Sequence, residues 1–317
     1  MLKRFLSRSA VITAGLVLLG SCGGGDKRTE QSGARTEKSR QLTIGVTLLT
    51  RTHPFYQDLE AGLNESGEAA GYELLVTAGE FDVARQKDQI NEFIVRKVDA
   101  IIVSPCDSRS IGTAIKAAND AGIPVFTADI ACLAEGVRVV SHVASDNVAG
   151  GALAARAVAD AIGGAGTVAI IDHPEVESVI QRVRGFEEEL AKHTGIQIVA
   201  KLSGRGVKDQ AFRTAEDILQ VHPNLSAIFG INDDSALGAL AAVEKAGKVQ
   251  RVKIVGFDAV PEARAAIEAG RIYADVIQQP REIGMKTIEA ITAYFSGATV
   301  APSILVPCAL YTQADAP

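Results

Sequence analysis

The sequence predicts an α/β protein made of two doubly wound parallel-sheet lobes, and three observations predict it. Short apolar runs such as Val125-Phe-Thr-Ala128 alternate with amphipathic helical stretches from Leu42 to near the end of the chain. Runs that short and that apolar read as parallel strands buried on both faces, and strict strand–helix alternation means sheets covered by helices on both sides. The rhythm restarts at Asn147, and the restart carries an internal echo. Ala100-Ile-Ile precedes Asp107-Ser108 at the spacing with which Ala227-Ile-Phe precedes Asp234-Ser235, and each segment runs into an Ala-rich helix ended by Ala-Gly. At 317 residues the chain has length for about two domains. The echo therefore reads as two similar lobes facing each other across a cleft.

Taken in order, residues 42–49 form a first strand, and Phe55, Leu59 and Leu63 fall four apart on one face of the following helix. A strand at 72–76 leads to a helix at 83–96, with Gln89, Ile90, Phe93 and Ile94 near its buried side. A strand at 100–103, a helix at 110–121 and a strand at 124–128 follow. Gly122 after that helix and Pro124 before that strand are the expected stop signals. A short fifth strand is expected at 137–141. The second run gives a helix at 147–162, a strand at 167–171, a helix at 179–192, a strand at 196–200 and a helix at 210–221. It continues with a strand at 225–230, a helix at 235–246 ended by Gly247, and strands at 252–257 and 273–277 around a helix at 261–269. A long helix at 282–295 sets Ile288, Ile291 and Phe295 on one stripe, and 304–311 closes the chain as one strand.

Charge is unevenly placed. The chain carries a net −6, but residues 1–40 hold eight Lys/Arg against three Asp/Glu, which leaves the remainder at −11. An acidic folded portion argues against nucleic acid as a partner. The basic beginning has the layout of a secretory signal: Lys3, Arg4 and Arg8, then an apolar run at 10–19 too short to span a bilayer, which needs about 20 residues. It ends in Leu19-Gly-Ser-Cys22, which resembles a bacterial lipoprotein signal with Cys22 as the lipidated residue. Residues 23–40 are Gly, Ser, Lys, Arg and Glu with scarcely an apolar residue, the composition of a flexible tether. In an exported chain Cys106 and Cys132, which both follow neighbouring strands, can pair or stay as free thiols; spacing leaves both open. No CxxC or Cys/His cluster points to a metal, and no cofactor is expected.

Chemistry concentrates at strand ends. Asp129, Asn232 and Asp258 each stand at the end of an apolar run, where open α/β sheets bind ligands. Thr52-His53-Pro54-Phe55-Tyr56 follows the first strand at the same edge, and its aromatics can stack on the C–H face of a sugar ring or begin the core stripe of the helix. Arg182, in Gln181-Arg-Val-Arg184-Gly-Phe186, has five donors able to grip several hydroxyls, although a solvated surface arginine is the commoner outcome for such a residue. Gly164-Ala-Gly166-Thr-Val-Ala169 fits a dinucleotide pattern but precedes a strand, so its glycines cannot present a helix N-terminus to a pyrophosphate. Walker, G-x-S-x-G and H-E-x-x-H sequences are absent. Asp129 and Asp258 as a glycosidase acid/base pair remain a formal option, with nothing in the sequence marking either as protonated.

With His53-Pro-Phe-Tyr56, Val140-Ser-His-Val-Ala-Ser-Asp-Asn147, Arg182…Gly185-Phe186, Ile231-Asn-Asp233…Ala236-Leu-Gly-Ala239 and Val255-Gly-Phe-Asp258 in view, the chain resembles the ribose-type periplasmic sugar-binding proteins of ABC importers over nearly all of residues 41–312. The resemblance implies two discontinuous lobes, 41–145 plus 279–307 and 146–278 plus 308–317, joined by three hinge crossings. It implies ligand stacking on Phe55 and Tyr56, and hydrogen bonding by Asp129, Arg182, Asn232, Asp258 and Gln278. Three positions depart: His53 stands where the family's ribose binders have Asn, Ile130 where they have Arg, and Gly206 where a third aromatic is expected. His53 is retained among the site residues, and His173 and Glu175 are candidates for replacement contacts. The implied protein is an exported, lipid-anchored monomer at the extracytoplasmic face of a bacterial envelope. It is not an enzyme, and it captures a monosaccharide or polyol for an ABC permease. The same module reporting to a chemoreceptor or sensor kinase is the alternative; a repressor would need a helix-turn-helix where this chain has its signal and tether.

Overall fold

The computed structural model describes residues 40–315. The expected signal at 1–22, Cys22 and all but the last residue of the expected tether lie outside the described residues.

Two six-stranded sheets organise the described chain. The first is built from β1 (Thr43–Leu48), β2 (Glu73–Ala78), β3 (Ala100–Val103), β4 (Val125–Ala128), β5 (His142–Ser145) and β11 (Ser303–Val306), in the order β11-β5-β4-β3-β1-β2. The second holds β6 (Ala165–Asp172), β7 (Gly195–Ser203), β8 (Ala227–Gly230), β9 (Lys253–Asp258), β10 (Ala274–Ile277) and β12 (Ala309–Thr312), in the order β12-β10-β9-β8-β6-β7. Every pairing is parallel except β10 with β12. The two strand orders match element for element, the architectural form of the sequence echo. The central strands β3, β4 and β8 are buried at every position, as their apolar runs require when helices cover both faces.

Helices α1 (Pro54–Ala69), α2 (Val83–Arg96), α3 (Gly112–Asp120) and α9 (Pro280–Phe295) cover the first sheet. Helices α4 (Asn147–Ala161), α5 (Glu177–Leu190), α6 (Lys208–Val221), α7 (Asp233–Lys245) and α8 (Pro261–Glu268) cover the second. The chain therefore passes from the first sheet to the second after Ser145, returns after Ile277, and passes again between Val306 and Ala309. Helices α4 and α5 meet backbone to backbone through two glycines. A Cβ on Gly151 would lie 2.0 Å from the Arg182 carbonyl, and one on Gly185 2.0 Å from the Val148 carbonyl. That approach brings Arg182 within reach of Asn147 at the start of α4.

Two expectations about strands are corrected. Residues 137–141 are not a strand; β5 begins at His142. Its partners are β4 on one side and β11, from the far end of the chain, on the other, so long-range pairing sets its place rather than its own apolar pattern. Residues 304–311 are two strands, not one. Pro307, which has no N–H for a ladder, separates β11 in the first sheet from β12 in the second.

Candidate functional site

The carboxyl ends of both sheets meet at one cavity of about 50 Å³. All eight residues singled out from the sequence as ligand contacts line it: His53, Phe55, Tyr56 and Asp129 from the first sheet and α1, and Arg182, Asn232, Asp258 and Gln278 from the second.

Two strand-end carboxylates are aimed by unusual backbone. Asp129 and Asp258 have φ of 67° and 119°, and Ala259 has 58°. Side chains other than glycine seldom hold such angles, and they persist where the surroundings enforce them, commonly at ligand sites. Asp129 Oδ2 accepts from the Tyr56 hydroxyl at 2.6 Å, and its Oδ1 is buried without a protein donor. Burial pushes Asp129 up to about 6 against the pull of Arg182 and Tyr56, so it is ionised at neutral pH but takes up a proton in mild acid, a property with no sign in the sequence. Burial and the adjacent Asp129 charge hold the Tyr56 phenol well above its ordinary range. Asp258 Oδ1 accepts from Gln278 Nε2 at 2.5 Å. Its Oδ2 lies 3.6 Å from His53 Nε2.

His53 caps α1, its Nδ1 accepting from the Phe55 N–H at 3.2 Å, with Pro54 as the first helical residue. With Nδ1 an acceptor, the ring hydrogen is on Nε2, which is buried and points toward Asp258 without a hydrogen-bond partner. Phe55 and Tyr56 stand edge to face, 5.1 Å between centroids. Both belong to the buried core as well as lining the cavity, so the core and cleft roles coincide.

Arg182 is not a surface arginine: it is 4% exposed. Its Nε donates to Asn147 Oδ1 and its Nη1 to the Ile231 carbonyl, each at 2.8 Å, while the guanidinium lies over the Phe257 ring at 3.9 Å. Those contacts use part of a five-donor fork and fix the rest toward the cavity. The exposed Arg184 takes no part. Asn232 caps α7, its Oδ1 accepting from Ser235 N–H at 2.9 Å and its Nδ2 donating to the Gly206 carbonyl at 3.1 Å. One amide hydrogen is left for a guest.

Where the resembled family has a third aromatic, Gly206 (φ 65°) lines the cavity with no room for a ring. A Cβ there would stand 3.0 Å from His173 Nδ1 and 3.4 Å from Asn232 Nδ2. His173 occupies that wall, and Glu175 stands in an adjoining depression instead. Ile130 closes an apolar edge. The sequence reading missed Phe81, which also lines the cavity and lies 6.4 Å from the His173 ring. A lone aromatic three residues past a strand at the ligand-binding edge was the available signal.

The lips of the cleft touch. Ser108, after β3, donates its N–H to the Glu175 carbonyl at 3.0 Å, and its hydroxyl accepts from the Glu177 N–H at 2.9 Å. Cys106, Cys132 and Cys308 are free thiols, and burial raises all three away from thiolate formation. Among the described residues no group of His, Cys, Asp and Glu is arranged to hold a metal ion, and no helix is long and apolar enough to cross a membrane.

Two facing sheet edges closed over a small cavity have direct counterparts. Residues 44–299 match the periplasmic binding protein domain. The chain belongs to that family, whose members are substrate-binding proteins. It is similar to the ribose import binding protein of Bacillus subtilis (strain 168), with 33% identity over 306 residues covering 96% of this chain and 98% of that one. It is also similar to a xylitol-binding protein of Mycolicibacterium smegmatis, 32% identical over 273 residues covering 85% and 75% of the two chains. Among solved structures, an ABC transporter periplasmic solute binding protein from Actinobacillus succinogenes with bound D-allose superposes with a TM-score of 0.80. It is 29% identical, and the match covers 87% of this chain and 99% of that one.

Proposed function

We propose that this protein is an exported, lipid-anchored solute-binding protein. It captures one neutral monosaccharide or polyol in the cavity and delivers it to an ABC permease, catalysing no reaction itself. The observation that carries this reading is the convergence of His53, Phe55, Tyr56 and Asp129 with Arg182, Asn232, Asp258 and Gln278 on one cavity. Two carboxylates set against one guanidinium leave the cavity net negative, which disfavours sugar acids and phosphates. Unspent acceptors on Asp129, the free edge of Arg182 and the aromatic edge of Phe55 and Tyr56 suit hydroxyls and ring C–H bonds. The lobes are 41–145 plus 279–307 and 146–278 plus 308–317, and the guest favours closure by its preferential affinity for the closed form. Cys22 carries the lipid, and the binding protein acts as a monomer.

A thermal-shift screen of D-ribose, D-allose, xylitol and myo-inositol tests the reading. A ligand at about 100 times its Kd adds about 2.7 kcal/mol to the folded state, a clear rise in Tm. No shift from any of the four at millimolar concentration contradicts it. Labelled fatty acid incorporated into the wild-type chain and absent from Cys22→Ser supports the anchor; equal labelling of both removes it.

A further inference from the structure

Behind Asp258 lie two buried carboxyls that do not line the cavity. Asp233, the first residue of α7, and Asp275, on β10, are each fully buried. Asp233 Oδ2 accepts from the Val260 N–H at 2.6 Å, and Asp275 Oδ1 from the Ala259 N–H at 3.3 Å. The two backbone N–H groups that follow Asp258 are thus each held by one of the pair. The other oxygens, Asp233 Oδ1 and Asp275 Oδ2, are buried with no donor. Both overhang Gly256, where a Cβ would come within 2.9 Å and 2.6 Å of them respectively. Two ionised carboxylates cannot satisfy each other, whereas one proton between them turns both orphan oxygens into a hydrogen bond.

We propose that Asp233 and Asp275 share a proton, and that this pair is the positioning device that clamps the Ala259–Val260 backbone and so holds Asp258 aimed into the cavity. The glycine at 256 is the space the pair needs. Asp258, with φ 119° followed by Ala259 at 58°, does not rest there unaided; the two carboxyls supply the restraint. The ionisable groups around the pair do not offset its charge. Asp258 stands at the end of β9 and Asp234 next along α7, and both are acidic. Tyr311 of β12 is opposite Asp275 in register. On α8, Glu262 is ion-paired with Lys208. Arg264, also on α8, donates to the Ala259 carbonyl at 2.6 Å and lies over the Tyr311 ring at 5.0 Å. Burial raises both carboxyls, Asp275 to about 7 and Asp233 well above the ordinary range, and their mutual hydrogen bond favours the proton on Asp233. Such a pair empties in two steps that belong to it jointly, and loss of the last proton on the alkaline side leaves two buried charges facing each other.

The link to ligand affinity rests on the proposed placement of Asp258 against the guest, so the test has arms with and without ligand. Infrared difference spectra of the full chain at pH 8, wild type minus D275N, are expected to show a protonated carboxylic-acid C=O band. Its absence, or its persistence unchanged in D275N, overturns the pair. Without ligand, protection of the Ala259 and Val260 amides against hydrogen exchange, corrected for intrinsic rate, is expected to fall above pH 8 in wild type and to stay level in D275N. The asparagine amide gives Asp233 a donor with no proton to lose. Parallel pH profiles in the two proteins overturn the clamp. With the member of the ribose, allose, xylitol and inositol panel that binds tightest, Kd is expected to rise by up to about tenfold per pH unit once the last proton leaves, and to be flat in D275N. If no panel member binds, the functional reading fails while the band and the amide protection still decide the pair.

Discussion

The two sheets present matching edges to the cavity, yet they hold their strand-end carboxylates differently. Asp129, after β4, is tied to Tyr56 of its own lobe and is driven by burial up to about 6. Asp258, ending β9, takes Gln278 on one oxygen and faces His53 of the other lobe with the second. The first edge is mostly aromatic and apolar, with Phe55, Tyr56, Phe81 and Ile130; the second is mostly donors and acceptors, with Arg182, Asn232, Asp258 and Gln278. Under the proposed function this duplicated architecture divides its labour: one edge would offer a shelf, the other would read hydroxyls, and neither would enclose a guest alone.

Asp258→Ala breaks the reading edge and carries the largest expected effect. Charge-assisted hydrogen bonds contribute about 1.5–3 kcal/mol each. Losing two of them weakens sugar binding about 1,000-fold by calorimetric titration. Asp129→Asn sharpens the contrast through pH. The folded chain holds the Asp129 proton to about 6 instead of the usual 3.8, so the stability this group contributes is complete below about pH 4 and is lost as pH rises through about 6. Denaturant unfolding should therefore find the variant gaining on wild type by about 3 kcal/mol between pH 4 and pH 7. Arg182→Lys leaves Asn147 Oδ1 and the Ile231 carbonyl short of their donors, an expected loss of about 2 kcal/mol in the same assay together with weaker binding. Both stability and affinity fall there, unlike the selective loss at Asp258. The smallest effect is expected at the lips, where Ser108→Ala removes one hydroxyl acceptor across the cleft. About 1 kcal/mol should appear as an affinity about fivefold weaker, with small-angle scattering showing a more open ligand-free form.

Most of the fold was legible because parallel strands buried on both faces announce themselves as apolar runs, and Gly and Pro punctuate them. Legibility failed where pairing is decided from far away. His142-Val-Ala-Ser145 is too polar at its ends to look like a strand, and it becomes one because β4 and β11 supply its ladder. The last segment read as one strand because its residues are apolar on both sides of Pro307, and nothing local says that the two halves join different sheets. At the site, strand-end Asp129, Asn232 and Asp258 were visible from position alone. His53, Gln278 and the choice of Arg182 over Arg184 came with the family resemblance. Phe81 was hidden because its place depends on a loop with φ of 51° at Glu80 and 61° at Phe81, which no apolar period encodes. The Asp233–Asp275 pair was hidden because the two residues lie 42 positions apart in the chain and meet only across the Gly256 backbone.

Calorimetric titration of the wild type, Asp129→Ala and Asp258→Ala with D-ribose, D-allose, xylitol and myo-inositol tests most directly whether both edges grip one guest. One site per chain for at least one of the four, weakened by the substitution on either sheet, is the predicted result. Binding that survives both substitutions unchanged would contradict a shared cavity, as would no binding by any of the four.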